Sequence, residues 1–343
     1  MKIVVLAGGL STERDVSLVS GKKIYDALKE NGHKVILLDV FLGLKDSDLD
    51  TVFDRGDELL DKKIGIGLEA PDLDTIKKQR DIDSSIFFGE NVIEICKKAD
   101  VVFMALHGQN GENGKIQAVF DLHGIRYTGA DYLSSAICMD KALTKDLLKL
   151  HGINVPQGYK LSKGENDAHE IQFPVVVKVK DGGSSVGVYI AHNKDEFVTA
   201  KEKAFTFEDQ IIVEEYVKGR EFSVGLIEGK ALPVIEITTD KGFYDYIKKY
   251  QEGSVIETCP AELDKEKTEE MQALVEKAYQ ILRLTQYARI DVIMKNSGDI
   301  YILEANTLPG MTPTSLMPQE AMAIGMNFNQ FCEKIIEIAM RKS

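Results

Sequence analysis

The sequence lacks paired cysteines, a basic excess and any membrane-length apolar run, and each absence removes a class of function. Its four cysteines are Cys96, Cys138, Cys259 and Cys332, and none forms a CxxC pair. Reduced thiols packed as small hydrophobes are expected rather than a disulfide or zinc framework. That usage fits a cytoplasmic setting. Lysine and arginine total 42 against 55 acidic residues, a net charge of −13. A nucleic acid or an anionic membrane is therefore not expected as the main partner. A nucleotide is not excluded, because a few buried cations can hold phosphates on an acidic protein. The opening MKIVVLAGG is too short an apolar run for a signal peptide, and no stretch reaches spanning length. Internal repeats and low-complexity tracts are also missing.

What is present is an ordinary globular composition, 44% hydrophobic and 28% charged over 343 residues, too long for one core and suited to two or three domains. Lys2 to Ala7 is a β-branched run ending at Gly8-Gly9. A helical segment follows from about Val16 to Glu30, then an apolar run from Val35 to Val40. This strand–helix–strand order predicts a parallel sheet. Residues 43 to 90 read as surface helices and loops. The alternation resumes with a strand at Val101–Leu106, a helix at Lys115–His123 and a strand at Ile125–Thr128. One long helix is expected from Tyr132 to Leu150. The second half differs. Phe173–Lys180 is a strand before a glycine- and serine-rich loop. Two hairpins follow, one about Gly229 and one joining Ala288–Met294 to Ile300–Glu304 through Asn296-Ser297-Gly298. Antiparallel pairs here and parallel units at the front suggest different domains.

Several segments carry chemistry. Gly182-Gly183-Ser184-Ser185-Val186-Gly187 lies between two strands. Its glycines let backbone N–H groups approach an anion and its serines add donors; a plain hairpin turn is the competing reading. It is not a Walker A loop, since no Gly-Lys-Ser/Thr follows. Lys178 sits in an apolar strand just before it, where a buried ammonium calls for an anion such as phosphate; an exposed edge lysine is the alternative. Asp291, Glu304 and Asn306 lie on the second hairpin, with Glu304 and Asn306 two apart and so on one side. Hard oxygen ligands facing a triphosphate suit Mg²⁺. Arg289 shares a face with Asp291. It would stabilise developing charge, or simply form a salt bridge to a carboxylate. At the front, Gly8 to Ser17 joins the first strand to the first helix, where ligands of open α/β sheets bind. Glu13 would grip an ammonium there, with helix capping by Ser11, Thr12 or Asp15 as the rival role. The G-x-G-x-x-G spacing of dinucleotide folds is absent. His107 ends the strand Val101–Leu106.

Taken in order, GGLSTERDVSLVSG (8–21), ALHGQNGENG (105–114), YTGADYLSSAICMDKALTK (127–145), PVVVKVKDGGSSVGV (174–188), VEEYVKGREFSV (213–224), FYDYIKKY (243–250), ARIDV (288–292) and YILEANTLPGMTPTSLMP (301–318) resemble the D-alanine–D-alanine ligases of the ATP-grasp superfamily. The resemblance implies an α/β chain with a Rossmann-like first domain, residues 1–129. A two-part ATP-grasp clamp, 130–214 and 215–343, would follow, with a lid at 240–257. It implies ATP-dependent joining of two D-alanines through a D-alanyl phosphate for peptidoglycan precursors. D-Ala–D-Ser, D-Ala–D-lactate or another dipeptide is the alternative product. Glu13 would hold the first ammonium in a network with Ser184 and Tyr250. His107 would line that site. Lys141 and Lys178 would bind phosphates; Glu214, Tyr216 and Val217 the adenine edge; Glu221 the ribose. Phe243 and Leu303 would sandwich the adenine. Asp291, Glu304 and Asn306 would hold two Mg²⁺ ions, for which Mn²⁺ would substitute. Arg289 and the N–H of Gly310 would stabilise the oxyanion. Lys249 and Ser315 would take the second carboxylate, beside an apolar wall at Leu316. Family members often form homodimers. Two departures stand out: Val179 follows Lys178 where the family commonly has proline, and Asn113 stands where it has aspartate.

Overall fold

The run KIVVLA becomes β1 (Lys2–Ala7), whose last five residues are all buried. A strand covered on both faces reads as continuous apolar sequence, which places it inside a parallel sheet. The computed structural model describes residues 1–45, 48–60, 71–80, 85–165, 167, 169–181, 187–239 and 255–341. In it, β1 is followed by α1 (Arg14–Glu30) and β2 (Lys34–Asp39). α1 stops at Gly32, whose φ of +86° supplies the left-handed turn that closes a helix. Among the described residues of the stretch 43–90, expected to hold surface helices and loops, lie a 3-10 turn (Val52–Asp54) and the short helices α2 (Gly56–Leu59) and α3 (Leu73–Lys78); α4 (Val92–Lys98) comes after it. β3 (Val101–Met104) completes a parallel sheet of order β2-β1-β3.

Next come α5 (Gln109–Glu112), α6 (Lys115–His123), α7 (Tyr132–Met139) and α8 (Lys141–Leu150). Two sequence expectations are corrected here. Ile125–Thr128 is not a strand but a single bridge, Val102 to Tyr127, after which the chain turns at Gly129 with φ +100°. The long helix is two helices. Asp140 between them is extended, and its carboxylate accepts from the N–H groups of Ala142 and Leu143, capping α8.

The second sheet holds β4 (Gly158–Ser162), β5 (Val175–Val179), β6 (Val188–Ala191) and, after α9 (Lys194–Ala204), β7 (Gln210–Glu215). Its order is β4-β7-β5-β6, antiparallel throughout. Val175, Val177, Ile211 and Val213 cluster with Phe197 and Ala200 of α9. By strand alternation, Lys178, Ile212 and Glu214 point to the other face. The third sheet contains β8 (Arg220–Ile227), β9 (Lys230–Ala231), β10 (Ile235–Thr239), β11 (Val255–Thr258), β12 (Tyr287–Met294) and β13 (Ile300–Asn306), with α10 (Lys265–Ile281) between β11 and β12. Both expected hairpins are present. The last three residues of the expected lid, 255–257, belong to β11; the rest of it lies outside the described residues.

After α11 (Leu316–Ala323), α12 (Phe328–Arg341) returns to the first sheet. Phe331, Cys332, Ile335, Ile336 and Ala339 share one core with β1, β3 and α1. His33 Nε2 lies 2.8 Å from Glu333 Oε2, and Asn31 donates to the Asn329 carbonyl at 3.0 Å. Phe331→Ala should therefore destabilise the front of the molecule by about 3–5 kcal/mol, the usual loss for a buried phenylalanine. A denaturant titration followed by hydrogen exchange at β1 and β3 checks this; unchanged protection there would disprove the docking.

Candidate active site

The turn after β1 is built around residues that only fit one way. Gly8 and Gly9 have φ of +74° and +87°, and a Cβ on Gly8 would collide with the Asp39 carboxylate. Asp39 pairs with Arg14, whose Nη1 donates to the Gly9 carbonyl at 2.7 Å. Ser17 Oγ donates to the Ala105 carbonyl at 2.6 Å and accepts from Gly8 N at 2.9 Å. The ends of β1 and β3 are thus locked together. Glu13 sits buried at the N-cap of α1, and its side chain makes no capping hydrogen bond. Ser11 instead accepts from Glu13 N and donates to the His107 carbonyl.

His107 is buried, and its Nδ1–H donates to the Leu308 carbonyl at 3.1 Å. Burial lowers its pKa, against the pull of Glu13. Its Nε2 has no hydrogen-bond partner among the described residues. Glu112, which the sequence reading passed over, accepts from Gly108 N at 2.7 Å. Burial, helped by the charge of Glu13, pushes it up to about 8. Its only sequence signal is an acid inside a glycine-flanked turn.

β12 and β13 form the ionic face. Along β12, Ile290 and Val292 are buried while Arg289 and Asp291 alternate to the other side. β13 needs a correction of phase. Asp291 pairs with Glu304 but Val292 pairs with Ile302, so Leu303 is an inserted residue, a β-bulge. The bulge turns Glu304 and Asn306 to the outer side. Arg289 binds Asp291 with both donors, Nε to Oδ1 at 2.9 Å and Nη2 to Oδ2 at 2.8 Å. The salt-bridge reading of Arg289 is thus realised. Ser223 Oγ donates to Asp291 at 2.6 Å and Asn306 Nδ2 at 3.0 Å. The Asp291 and Glu304 side chains are 17% and 27% exposed, so an incoming ligand can reach them. Two carboxylates and an amide oxygen fit Mg²⁺, which accepts few protein ligands when phosphate oxygens and water complete its shell.

Lys141 Nζ lies 3.7 Å from Glu304 Oε2, tying α8 to this hairpin. Lys178 is buried as expected, but it faces a carboxylate, with Nζ 2.8 Å from Glu214 Oε2. Lys145, unassigned from sequence, meets the other oxygen of Glu214. Its signal was the four-residue step from Lys141 on one helix face. Tyr216 and Val217 follow β7 directly, with Val217 buried. Glu221 lies on β8 opposite Ile293, and Leu303 occupies the bulge. Beyond β13, Ser315 Oγ accepts from Thr312 N at 3.0 Å and sits beside Gly310. Leu316 is buried against Ile235 and Ile237. Ser184, Phe243, Lys249 and Tyr250, with most of the glycine loop, lie outside the described residues. Glu320, also missed, is fully buried; Gly225 N donates to it at 2.6 Å, and burial holds its carboxyl well above the usual range.

Comparison with known proteins agrees with this geometry. A family model described as "D-ala D-ala ligase N-terminus" matches residues 2–130, and one described as "D-ala D-ala ligase C-terminus" matches residues 147–337. A D-alanine–D-alanine ligase of Pediococcus pentosaceus is 42% identical, over 98% of this chain and 97% of its own. One from Lacticaseibacillus casei is also 42% identical, over 98% and 95%. Among solved structures, the Bacillus anthracis D-alanine–D-alanine ligase complexed with ATP superposes with TM-score 0.77 at 31% identity, covering 99% of this chain and 98% of that one. The VanG D-Ala:D-Ser ligase of Enterococcus faecalis gives 0.75 at 30% identity, over 98% and 99%.

The perturbed carboxyl of Glu112 generates a test. Its folded value of about 8 lies above its ordinary 4.5. Its stabilising contribution is therefore complete below the ordinary value and is lost as pH rises toward the folded one. Glu112→Gln has no such proton to lose. Between about pH 5 and 8 wild type should lose stability relative to this variant. Urea midpoints across that range measure it, and parallel curves would remove the buried-acid assignment.

Proposed function

The chain belongs to the D-alanine–D-alanine ligase family, and from that membership we propose how its residues divide the work. It is an ATP-dependent ligase that joins two D-alanines for cell-wall synthesis. ATP phosphorylates the first carboxylate; the second amine attacks the acyl-phosphate, and phosphate leaves. The observation that best supports the division of labour is the bond from His107 to the Leu308 carbonyl. It holds the segment after β3 against the segment after β13, which supports an amino-acid site there lying next to a phosphate site.

In this reading Glu13 holds the first ammonium, with Ser184 and Tyr250, and neutral His107 lines the pocket. Lys141 and Lys178 take phosphates. Glu214, Tyr216 and Val217 border the adenine, Glu221 the ribose, and Phe243 and Leu303 the two ring faces. Asp291, Glu304 and Asn306 would hold two Mg²⁺ ions, which when bound offset the charge of the triphosphate. Arg289 and the Gly310 N–H face the developing oxyanion. A guanidinium gripped bidentately by Asp291 is fixed in direction, which is what a preorganised donor requires. Lys249 and Ser315 receive the second carboxylate, with Leu316 on the apolar side. The domain borders 1–129, 130–214 and 215–343 belong to the same proposal, the last unit returning α12 to the first. So does a cytoplasmic location, supported by the unpaired cysteines; among the described residues no helix is long and apolar enough to cross a membrane. Family habit alone supports a homodimer.

Phosphate release from ATP should occur with D-alanine and yield D-alanyl-D-alanine by mass; silence across a panel of D- and L-amino acids would overturn the reaction. Arg289→Ala should lower kcat by about 10²-fold or more, the loss typical of one preorganised donor. The KM for ATP should change much less. A variant impaired only in ATP binding would make Arg289 a phosphate clamp instead.

A further inference from the structure

Lys145 has no role in the division above, yet it is one of three buried ionic groups that meet at one point. Lys145 on α8, Glu214 on β7 and Lys178 on β5 are 7%, 3% and 8% exposed. One oxygen of Glu214 accepts from Lys145 Nζ, and the other lies 2.8 Å from Lys178 Nζ. Two ammoniums facing one carboxylate leave a positive charge over in a site almost sealed from water. Such a charge is costly. The cluster can relieve it by releasing a proton or by receiving an anion.

The two lysines are not equivalent. Burial, and repulsion from Lys178, push Lys145 down to about 7 against the attraction of Glu214. For Lys178, burial also pushes down, but Glu214 and then Glu304 outweigh it and hold its pKa above the ordinary value. The other charges around Lys145 are accounted for by neighbours. On its own helix, Lys141 faces Glu304, Lys149 donates to Gln157 at 2.9 Å, and Asp146 lies 3.8 Å from Lys160 of β4. Lys145 therefore answers mainly to Glu214 and Lys178.

We propose that ATP binding exchanges the partner of Glu214: Lys178 turns from Glu214 to the phosphates, and Lys145 takes over as the cation that holds Glu214. The inference rests on the nucleotide site proposed above. In the free enzyme near pH 8, Lys145 is mostly an amine and Lys178 neutralises Glu214. When Lys178 leaves, Glu214 is unpaired and Lys145 binds a proton drawn from the buffer. Lys145 is a positioning residue, since it acts through Glu214 rather than on the nucleotide. Without it, Glu214 retains Lys178 and competes with ATP for it.

The test is calorimetric titration of the full-length enzyme with Mg-ATP, without D-alanine, at about pH 8 in buffers of different ionisation enthalpy. Wild type should take up roughly half a proton or more per ATP, because the site's proton affinity rises on binding. Lys145→Arg keeps the cation but cannot titrate, so it should bind ATP with that uptake lost. Lys145→Met should weaken ATP about tenfold, one broken charge pairing, and raise the KM for ATP more than it lowers kcat. Adding Glu214→Gln to Lys145→Met should restore part of the affinity, since nothing then holds Lys178 back. Equal proton uptake in wild type and Lys145→Arg would overturn the exchange, as would undiminished affinity in Lys145→Met. The arginine variant keeps the test decisive if the methionine variant does not fold. Failure of wild type to bind ATP would instead overturn the nucleotide site itself.

Discussion

The Nδ1–H of His107 donates to the carbonyl of Leu308 across 3.1 Å, between residues 201 positions apart. That bond works only if a parallel sheet and an antiparallel one are held in fixed relation, and the surrounding structure supplies the constraint. Gln286 donates to the Tyr127 carbonyl at 3.1 Å and accepts from Gly129 N at 3.0 Å, tying the start of β12 to the end of the first sheet. Leu308, Met311 and Met317 are buried in the same core as β1 and β3. α12 then closes the far side. The carbonyl also decides the tautomer of His107: with Nδ1 donating, Nε2 carries no proton, and burial keeps the ring neutral. A neutral ring adds no positive charge beside Glu13, the residue proposed above to hold the first ammonium.

Burial around this junction sorts the acids into two kinds. Glu112 and Glu320 are desolvated and lie above the ordinary carboxylate range. Asp291 and Glu214 are instead met by cations. The difference is geometric. Glu320 reaches the backbone of β8 where Gly225 has no side chain, and a Cβ there would collide with it. One N–H is enough to seat a carboxyl but not to compensate a buried charge. Arg289 and Asp291 lie across from Gly225 and Ser223 on β12, so a neutral acid beneath them adds packing without competing for the guanidinium.

The parts of this site legible in the sequence are those that follow a period. Alternation in ARIDV puts Arg289 and Asp291 on one face and Ile290 and Val292 on the other. The strand–helix–strand order at the front of the chain placed β1 in a parallel sheet. What was not legible depends on tertiary partners. The bulge at Leu303 shifts the phase of β13 by one residue, and nothing in YILEAN marks it. α12 is amphipathic, which requires a core but does not say which one. The break at Asp140 had a readable signal, an N-cap acid before a helical run, and a continuous apolar pattern hid it. Lys145 had one too, four residues after Lys141, yet its meaning appears only when β7 brings Glu214 opposite.

An acidic protein that handles a triphosphate must avoid both long-range repulsion and a cluster of unpaired buried cations. This chain does so by pairing locally. Lys141 faces Glu304, Lys178 and Lys145 share Glu214, Lys180 lies 3.3 Å from Asp140 and 3.5 Å from Asp181, and Arg289 binds Asp291. An anion entering such a site would not meet bare charge; under the proposed exchange it would replace carboxylates as the partner of cations already in place. Exchange would leave fewer charges to desolvate than fresh pairing. Glu304 and Asp291, the acids proposed above to hold Mg²⁺, are each paired with a cation before any ligand arrives, Lys141 and Arg289. Glu214 differs from these acids in having two lysines against its two oxygens, the arrangement on which the proposed exchange rests.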